Sequence, residues 1–296
     1  MSGFAGDRAR RHTRYFLTWT RSAAPVHLGA DVDMTRVEEH RAAERAAGRR
    51  LSVVSFLLYA AGRVLATHPE ARRLARGGLW PRTVALPGAA DDAARGVAGG
   101  VAAKLALDRR GPGGERVVLT AVLPRTDTAT LTEIQETVDR CRRSDPAELP
   151  GAAAVRLLDR LPPPIGQLAF RLGVRAPAAR ERRLGTFAVS SLGHRAVDVF
   201  HSYGGTAVTF CVGRVTDRAV VRDGHLAAAP VMRLGLTFDH RVLDGAAAAD
   251  VLDGVVKRLE DWHGDLSGTR GEPRDGAGIR PARTGDRPRG PLGTGP

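Results

Sequence analysis

Cysteine is nearly absent from this chain of 296 residues, which holds only Cys141 and Cys211. One sits in a helical pattern and the other in a strand pattern. Neither has metal-ligand spacing, so both read as small buried hydrophobes and not as a disulfide framework. Aromatic side chains make up 5% of the sequence, and no basic stripe is interleaved with stacking rings. A groove for single-stranded nucleic acid is thereby excluded in spite of a net charge of +13. Lysine is scarce as well, with Lys104 and Lys257 alone. The positive charge is therefore arginine, concentrated in 7–21, 156–183 and 267–296, where it reads as solvated surface able to attract phosphates. Long apolar runs are missing: the longest, Leu51 to Leu65, contains Arg63 and is too short to span a bilayer. The opening Met-Ser-Gly-Phe-Ala-Gly-Asp turns basic without an apolar core, so no secretory leader and a cytoplasmic location are expected. There is no G-x-S-x-G elbow, no Walker A loop and no G-x-G-x-x-G after a strand, which excludes the nucleophile and phosphate-cradle chemistry that those motifs carry.

Apolar residues make up 43% of the chain, enough to bury a substantial core. Val26 to Val32 alternates as a strand with one face buried, and a helix follows from Thr35 to Ala47, with Thr35 and Glu38 as a capping box and Gly48 as its stop. Leu51, Val54, Leu58, Ala61 and Leu65 have the spacing of a core helix. Val117 to Leu123 is a β-branched strand, and Leu131, Ile134, Val138 and Cys141 share one helix face. Thr186 to Val189 and Thr206 to Val215 read as strands, and Asp223-Gly224 as a hairpin turn joining Ala219–Val221 to Leu226. Gly99-Gly100, Gly113-Gly114 and Gly204-Gly205 read as turns. The mixture predicts an α/β fold, a two-layer sandwich with a mixed sheet.

Chemistry concentrates at one junction. Met232, Leu234, Leu236 and Phe238 alternate along a strand, whereas Ala248, Val251, Val255 and Leu259 recur at helical spacing. Between them runs Asp239-His240-Arg241-Val242-Leu243-Asp244-Gly245. A histidine on so short a loop is held by two packed elements without having to pair inside a ladder. An imidazole, which ordinarily titrates near ~6.5, can take the proton of an attacking thiol at neutral pH. From the residues alone a second reading is open, in which the loop satisfies its own histidine and Asp244 caps the helix that begins at Gly245.

The DHRxxDG run from Asp239 to Gly245 resembles the active-site signature of the dihydrolipoamide acyltransferases, the acyl-transferring subunits of 2-oxo acid dehydrogenase complexes. Chloramphenicol acetyltransferases share a similar His-x-x-x-Asp-Gly core. Gly185-Thr186-Phe187-Ala188-Val189-Ser190-Ser191-Leu192-Gly193 is similar to a second segment of that family, in the same order along the chain. Weaker similarity covers Arg10 through Pro25, the strand ending before Asp33, the helix opening at Leu51, and Asp127, Leu131 and Ile134. The resemblance spans about residues 8–266 and implies a chloramphenicol-acetyltransferase-like fold. It also implies acyl transfer between coenzyme A and a thiol or other small nucleophile, without acyl-enzyme or metal. By the same resemblance His240 is the general base and Ser190 the oxyanion donor, with Ser191 as fallback. Asp244 is a support paired with Arg10 or Arg11, and Gly245 lets the chain enter the helix. The family's trimers, with His240 of one chain facing Ser190 of the next, imply a homotrimer or a larger trimer-based assembly. Partners would be acyl-coenzyme A, a small-molecule or lipoylated acceptor and other 2-oxo acid dehydrogenase components, with no nucleic acid.

Two departures stand out. Residues 145–184 form a longer connection than the family's, expected as a pair of short amphipathic helices broken at Pro162-Pro163-Pro164. It reads as a surface insertion, and alternatively as a basic-apolar patch for a membrane surface or partner protein. Neither lysine lies in a recognisable lipoyl-accepting turn, so no attached lipoyl group is expected, and the alternative to an enzyme is a non-catalytic trimeric assembly or partner-binding relative. His194 and His201 read as loop histidines. Residues 267–296, rich in Gly, Pro and Arg, are expected to be a disordered tail.

Overall fold

A computed structural model describes residues 10–77, 82–88, 100–110, 116–145, 148 and 151–264. The tail at 267–296, the expected domain start at residue 8 and the turns at Gly99, Gly113 and Gly114 lie outside them. Six strands form one mixed sheet in the order β1-β8-β7-β6-β4-β5: β1 (Pro25–Asp33), β4 (Ala103–Arg110), β5 (Arg116–Leu123), β6 (Phe187–Ser191), β7 (Val208–Arg222) and β8 (His225–Asp239). β6 runs parallel to both β4 and β7, and the other pairings are antiparallel. A two-stranded ribbon, β2 (Arg73–Arg76) and β3 (Arg82–Ala85), stands apart from it. The α/β class with a mixed sheet is as the sequence pattern predicts.

Alternation decides which face of the sheet is dry. Met232, Leu234, Leu236 and Phe238 on β8, Val208, Phe210 and Val212 on β7, and Phe187 and Val189 on β6 all enter one apolar core. Over that face lie α2 (Thr35–Ala46), α3 (Val53–Ala66), α4 (Leu131–Arg143) and α8 (Gly245–Glu260). α3 is buried on nearly its whole circumference. Its Ser52 cap accepts from Ser55 N, and Gly62 lets the helix approach the Thr126 backbone where a Cβ would collide. The β7–β8 hairpin is longer than the sequence pattern suggests. Two strands of fifteen residues each run unbroken to Asp223-Gly224, both at positive φ, with a bulge between Val212 and Val215.

One cap is misplaced in the sequence reading. Asp33 Oδ1, not a Thr35/Glu38 box, accepts from Thr35 N and Oγ1 at 3.0 and 2.6 Å, because Thr35 is already the first helical residue. The capping box occurs instead at Thr130/Glu133 at the start of α4. Residues 145–184 supply three helices where two are expected: α5 (Ala152–Arg160), α6 (Pro163–Gly173) and α7 (Pro177–Leu184), separated at Pro162 and before Pro177. Both α5 and α6 pack with α1 (Arg11–Thr20). Among the described residues, no helix is long and apolar enough to cross a membrane.

Candidate active site

His240 follows the last residue of β8, where the backbone is tied on both sides. Asp239 N donates to Ala207 O at 3.0 Å and His240 N to Ala24 O at 2.8 Å. The chain then turns back, with Val242 N and Leu243 N both donating to Asp239 O, and the buried Leu243 anchors the turn in the core. With its backbone fixed in this way, the His240 side chain is exposed, its ring 5.5 Å from that of Phe238.

The carboxylate that shapes this turn is Asp239, at 1% exposure. Arg241 forks onto it, Nε to Oδ1 at 2.9 Å and Nη2 to Oδ2 at 2.6 Å, while the Tyr203 hydroxyl donates to Oδ2 at 2.9 Å. Backbone N–H groups of Arg241 and Ala24 donate to Oδ1 at 3.2 and 3.3 Å. Burial pushes this carboxyl up, yet the hydrogen bonds from Arg241 and Tyr203 prevail and hold it below the usual carboxylate range. Tyr203 moves the other way, raised first by burial and then by the charge of Asp239.

Asp244 and its expected arginine are not brought together. Its side chain accepts from Ala247 N at 2.9 Å, the N-cap of α8. Arg11 reaches elsewhere, donating to the carbonyls of Asp159 and Leu161 at 3.3 and 3.2 Å. Arg10 precedes α1 as its cap residue. The helix-capping reading of Asp244 is thus what one chain contains, and the arginine that braces the loop is Arg241 from within the motif. Gly245 opens α8 with open space where a Cβ would stand.

Ser190 lies on β6 with Cys211 of β7 as its neighbour across the parallel pairing. Since Phe187 and Val189 face the core, Ala188 and Ser190 occupy the opposite face of the sheet. The Ser191 hydroxyl oxygen accepts from Gly193 N at 3.5 Å. Across that face runs the 192–206 segment, held where glycines leave room: Gly213 lies under the Asp198 carbonyl, and Gly235 under the Phe200 carbonyl and the His201 ring. His201 stacks 4.7 Å from His27, and burial together with the neighbouring His27 lowers its pKa. His194 is exposed, 3.8 Å from Asp108. Cys211 is buried and its thiol is pushed up to about 12 by burial; Cys141 is buried and raised as well.

Register fixes how far apart the two candidate groups are. Ser190 pairs with Cys211, Cys211 with Gly235, and His240 lies five residues further along β8. Five steps along a strand and two across a sheet put Ser190 roughly 20 Å from His240 in one chain. They cannot serve one carbonyl from the same chain.

Sequence reasoning missed the charges behind this turn. Lys104 on β4 is buried, donates to Gly204 O and lies 4.8 Å from the Phe16 ring. Arg180 on α7 donates to Gly205 O at 2.9 Å and stacks 4.7 Å over Trp19. Burial, with Arg180 adding repulsion, lowers the Lys104 amine to about 7, and burial lowers Arg180 too. A cavity of about 310 Å³ is lined by Ala75, Arg76, Gly77, Arg82, Thr83 and Arg241.

Residues 169–265 match the model of the 2-oxoacid dehydrogenases acyltransferase (catalytic domain) family. A dihydrolipoyllysine-residue acetyltransferase component of the pyruvate dehydrogenase complex from Bacillus subtilis is 48% identical over 50 residues, 17% of this chain and 11% of that protein. The Staphylococcus aureus counterpart is 38% identical over 50 residues, 17% of this chain and 12% of its own length. The match thus spans about a tenth of the length of these curated relatives. Among solved structures, a probable dihydrolipoamide acetyltransferase of Listeria monocytogenes superposes with a TM-score of 0.58 at 17% identity, covering 88% of this chain and 92% of that one. A truncated catalytic core of the 2-oxoacid dehydrogenase multienzyme complex from Thermoplasma acidophilum reaches 0.60 at 17% identity, covering 88% and 96%. The fold is therefore that of these catalytic cores, and residues 169–265, which include Ser190, His240 and Asp244, are similar to the catalytic domain of the 2-oxoacid dehydrogenase acyltransferases.

Proposed function

We propose that the chain transfers an acyl group between coenzyme A and a thiol of the dihydrolipoamide type, or another small nucleophile, by direct attack. The observation that carries this reading is His240, exposed at the end of β8 on a backbone pinned at Ala24 and Ala207 and braced by the Asp239–Arg241 fork. An imidazole nitrogen takes the thiol proton while sulfur bonds to the thioester carbonyl carbon. The oxyanion so formed accepts a hydrogen bond from the Ser190 hydroxyl of a neighbouring copy. Collapse breaks the carbon–sulfur bond to coenzyme A, and the imidazolium returns its proton to the departing thiolate. Because the two groups stand roughly 20 Å apart in one chain, the site is formed between copies, as in a homotrimer. Arg76, Arg82 and Arg241, which line a cavity together, suit the phosphates of coenzyme A.

Thiol release from acetyl-coenzyme A with dihydrolipoamide as acceptor tests the proposal. His240→Ala lowers the turnover about 10²–10⁴-fold if the imidazole is the base. Equal rates for the variant and the wild type would leave only the non-catalytic assembly reading.

A further inference from the structure

We propose that the outer face of α6 docks this protein on the surface of an anionic phospholipid membrane. On α6, Gly166 is buried against the Tyr15 ring, and Phe170 packs edge-on against Phe16 and Trp19 of α1 at 6.4 and 6.0 Å. Those residues define the helix's inner side. At 100° per residue, Ile165, Leu168 and Leu172 fall within about 60° of one another and roughly opposite Phe170. They are 54, 58 and 56% exposed. α6 is thus apolar on two opposite sides, and among the described residues only the inner one is covered. Leu157 on α5 and Leu17 on α1, the helices packed beside it, are 60 and 56% exposed. The three on α6, with these two on the helices beside it, are half of the ten large apolar side chains exposed among the described residues.

Charge selects the occupant. Between residues 151 and 184 every exposed ionisable side chain is an arginine. The two acids of that stretch are turned inward: Asp159 accepts from His12 N at 2.8 Å and meets its ring at 3.0 Å, and Glu181 accepts from Gly88 N at 3.3 Å. An apolar stripe on a segment whose exposed ionisable side chains from 151 to 184 are arginines is matched by anionic headgroups above acyl chains, the exposed acids Asp145 and Glu148 lying before α5. A second copy of the chain would bring like charges face to face.

The full chain is sedimented with vesicles of phosphatidylglycerol mixed with phosphatidylcholine, and with phosphatidylcholine alone. Binding to the anionic vesicles is expected to be tenfold or more tighter at low salt and to fall about tenfold at 0.5 M NaCl. The combined variant Ile165→Ser, Leu168→Ser, Leu172→Ser leaves the inner side intact and should lose about tenfold or more in vesicle binding with an unchanged melting curve. A Leu168→Cys variant carrying a polarity-sensitive dye provides a second reading that does not depend on the serine variant folding, since Cys141 and Cys211 are buried. Its emission should shift to the blue on anionic vesicles, whereas a dye at Leu226→Cys on the β7–β8 hairpin should not. The proposal is overturned by equal binding to the two vesicle types, by a serine variant that folds and binds like the wild type, by no shift at position 168, or by a serine variant that changes the oligomer mass and leaves vesicle binding alone.

Discussion

Asp239 and Lys104 are both buried ionisable groups next to Gly204 or Tyr203, yet burial wins at only one of them. At Asp239 the fork from Arg241 and the Tyr203 hydroxyl outweigh desolvation. A carboxyl whose folded pKa is depressed contributes stability that is fully present above its unfolded value near ~3.9 and is lost as pH falls through the folded value. Melting of the wild type followed from pH 6 down to 2 should therefore drop more steeply below about pH 4 than melting of Asp239→Asn. At neutral pH that variant should already be weaker by about 2 kcal/mol, because Arg241 is part-exposed and water screens what it loses. A melting curve for Asp239→Asn that matches the wild type at both ends would mean that the fork does not hold the turn. Lys104 has no carboxylate to offset its burial, and its amine titrates at about 7. Between pH 7 and about 10 the unfolded chain binds more protons at this site than the folded one, so stability rises with pH by up to ~1.4 kcal/mol per unit. Lys104→Met should remove that slope in a pH series of denaturant titrations, and a slope kept intact would place its origin elsewhere.

At the scale of elements, the 192–206 segment depends on small residues in the strands beneath it. A Cβ at Gly213 would run into the Asp198 carbonyl, with backbone on both sides and no side chain to move aside. Gly213→Ala should cost about 1–3 kcal/mol in chemical denaturation. It should also slow acyl transfer by displacing Tyr203 from Asp239; unchanged stability would mean that the segment is held by other contacts. This dependence explains what the sequence could and could not reveal. β8 and α8 were legible because period 2 gives way to period 3.6 within a few residues at His240. α3 was legible from Leu51, Val54, Leu58, Ala61 and Leu65. The Thr35/Glu38 box failed because Asp33 competes for the same donors, and residue types do not reveal which residue is the first in the helix. Ser190 and His240 are candidates on local motifs alone. Tyr203, Arg180 and Lys104 carry no such spacing: Tyr203 meets Asp239 across 36 residues, and Arg180 and Lys104 meet Gly205 and Gly204 beside it across 25 and 100, through a sheet order that periodicity does not encode. The expected link from Arg10 or Arg11 to Asp244 is not formed within one chain, where Arg11 donates instead to the carbonyls of Asp159 and Leu161.

The scale of the whole molecule decides whether the two motif residues work together. One chain holds them roughly 20 Å apart by strand and sheet spacing, so any site using both must draw His240 from one copy and Ser190 from another. Removing either group alone should then abolish every site in a homogeneous assembly, with Ser190→Ala costing about 10²–10³-fold in turnover. Mixed assemblies should behave differently. If His240→Ala and Ser190→Ala chains are unfolded together in equal amounts and refolded, some junctions pair an intact His240 from one variant with an intact Ser190 from the other. In a closed ring with random order, about one junction in four is complete, so the mixture should recover about a quarter of wild-type activity from two nearly inactive parents. Size-exclusion chromatography with light scattering on the same sample checks that the assembly has formed. A mixture no more active than the sum of its parents, in an assembly of the correct mass, would mean that His240 and Ser190 do not share a carbonyl, and the oxyanion role would pass from Ser190 to a group nearer His240 within its own chain.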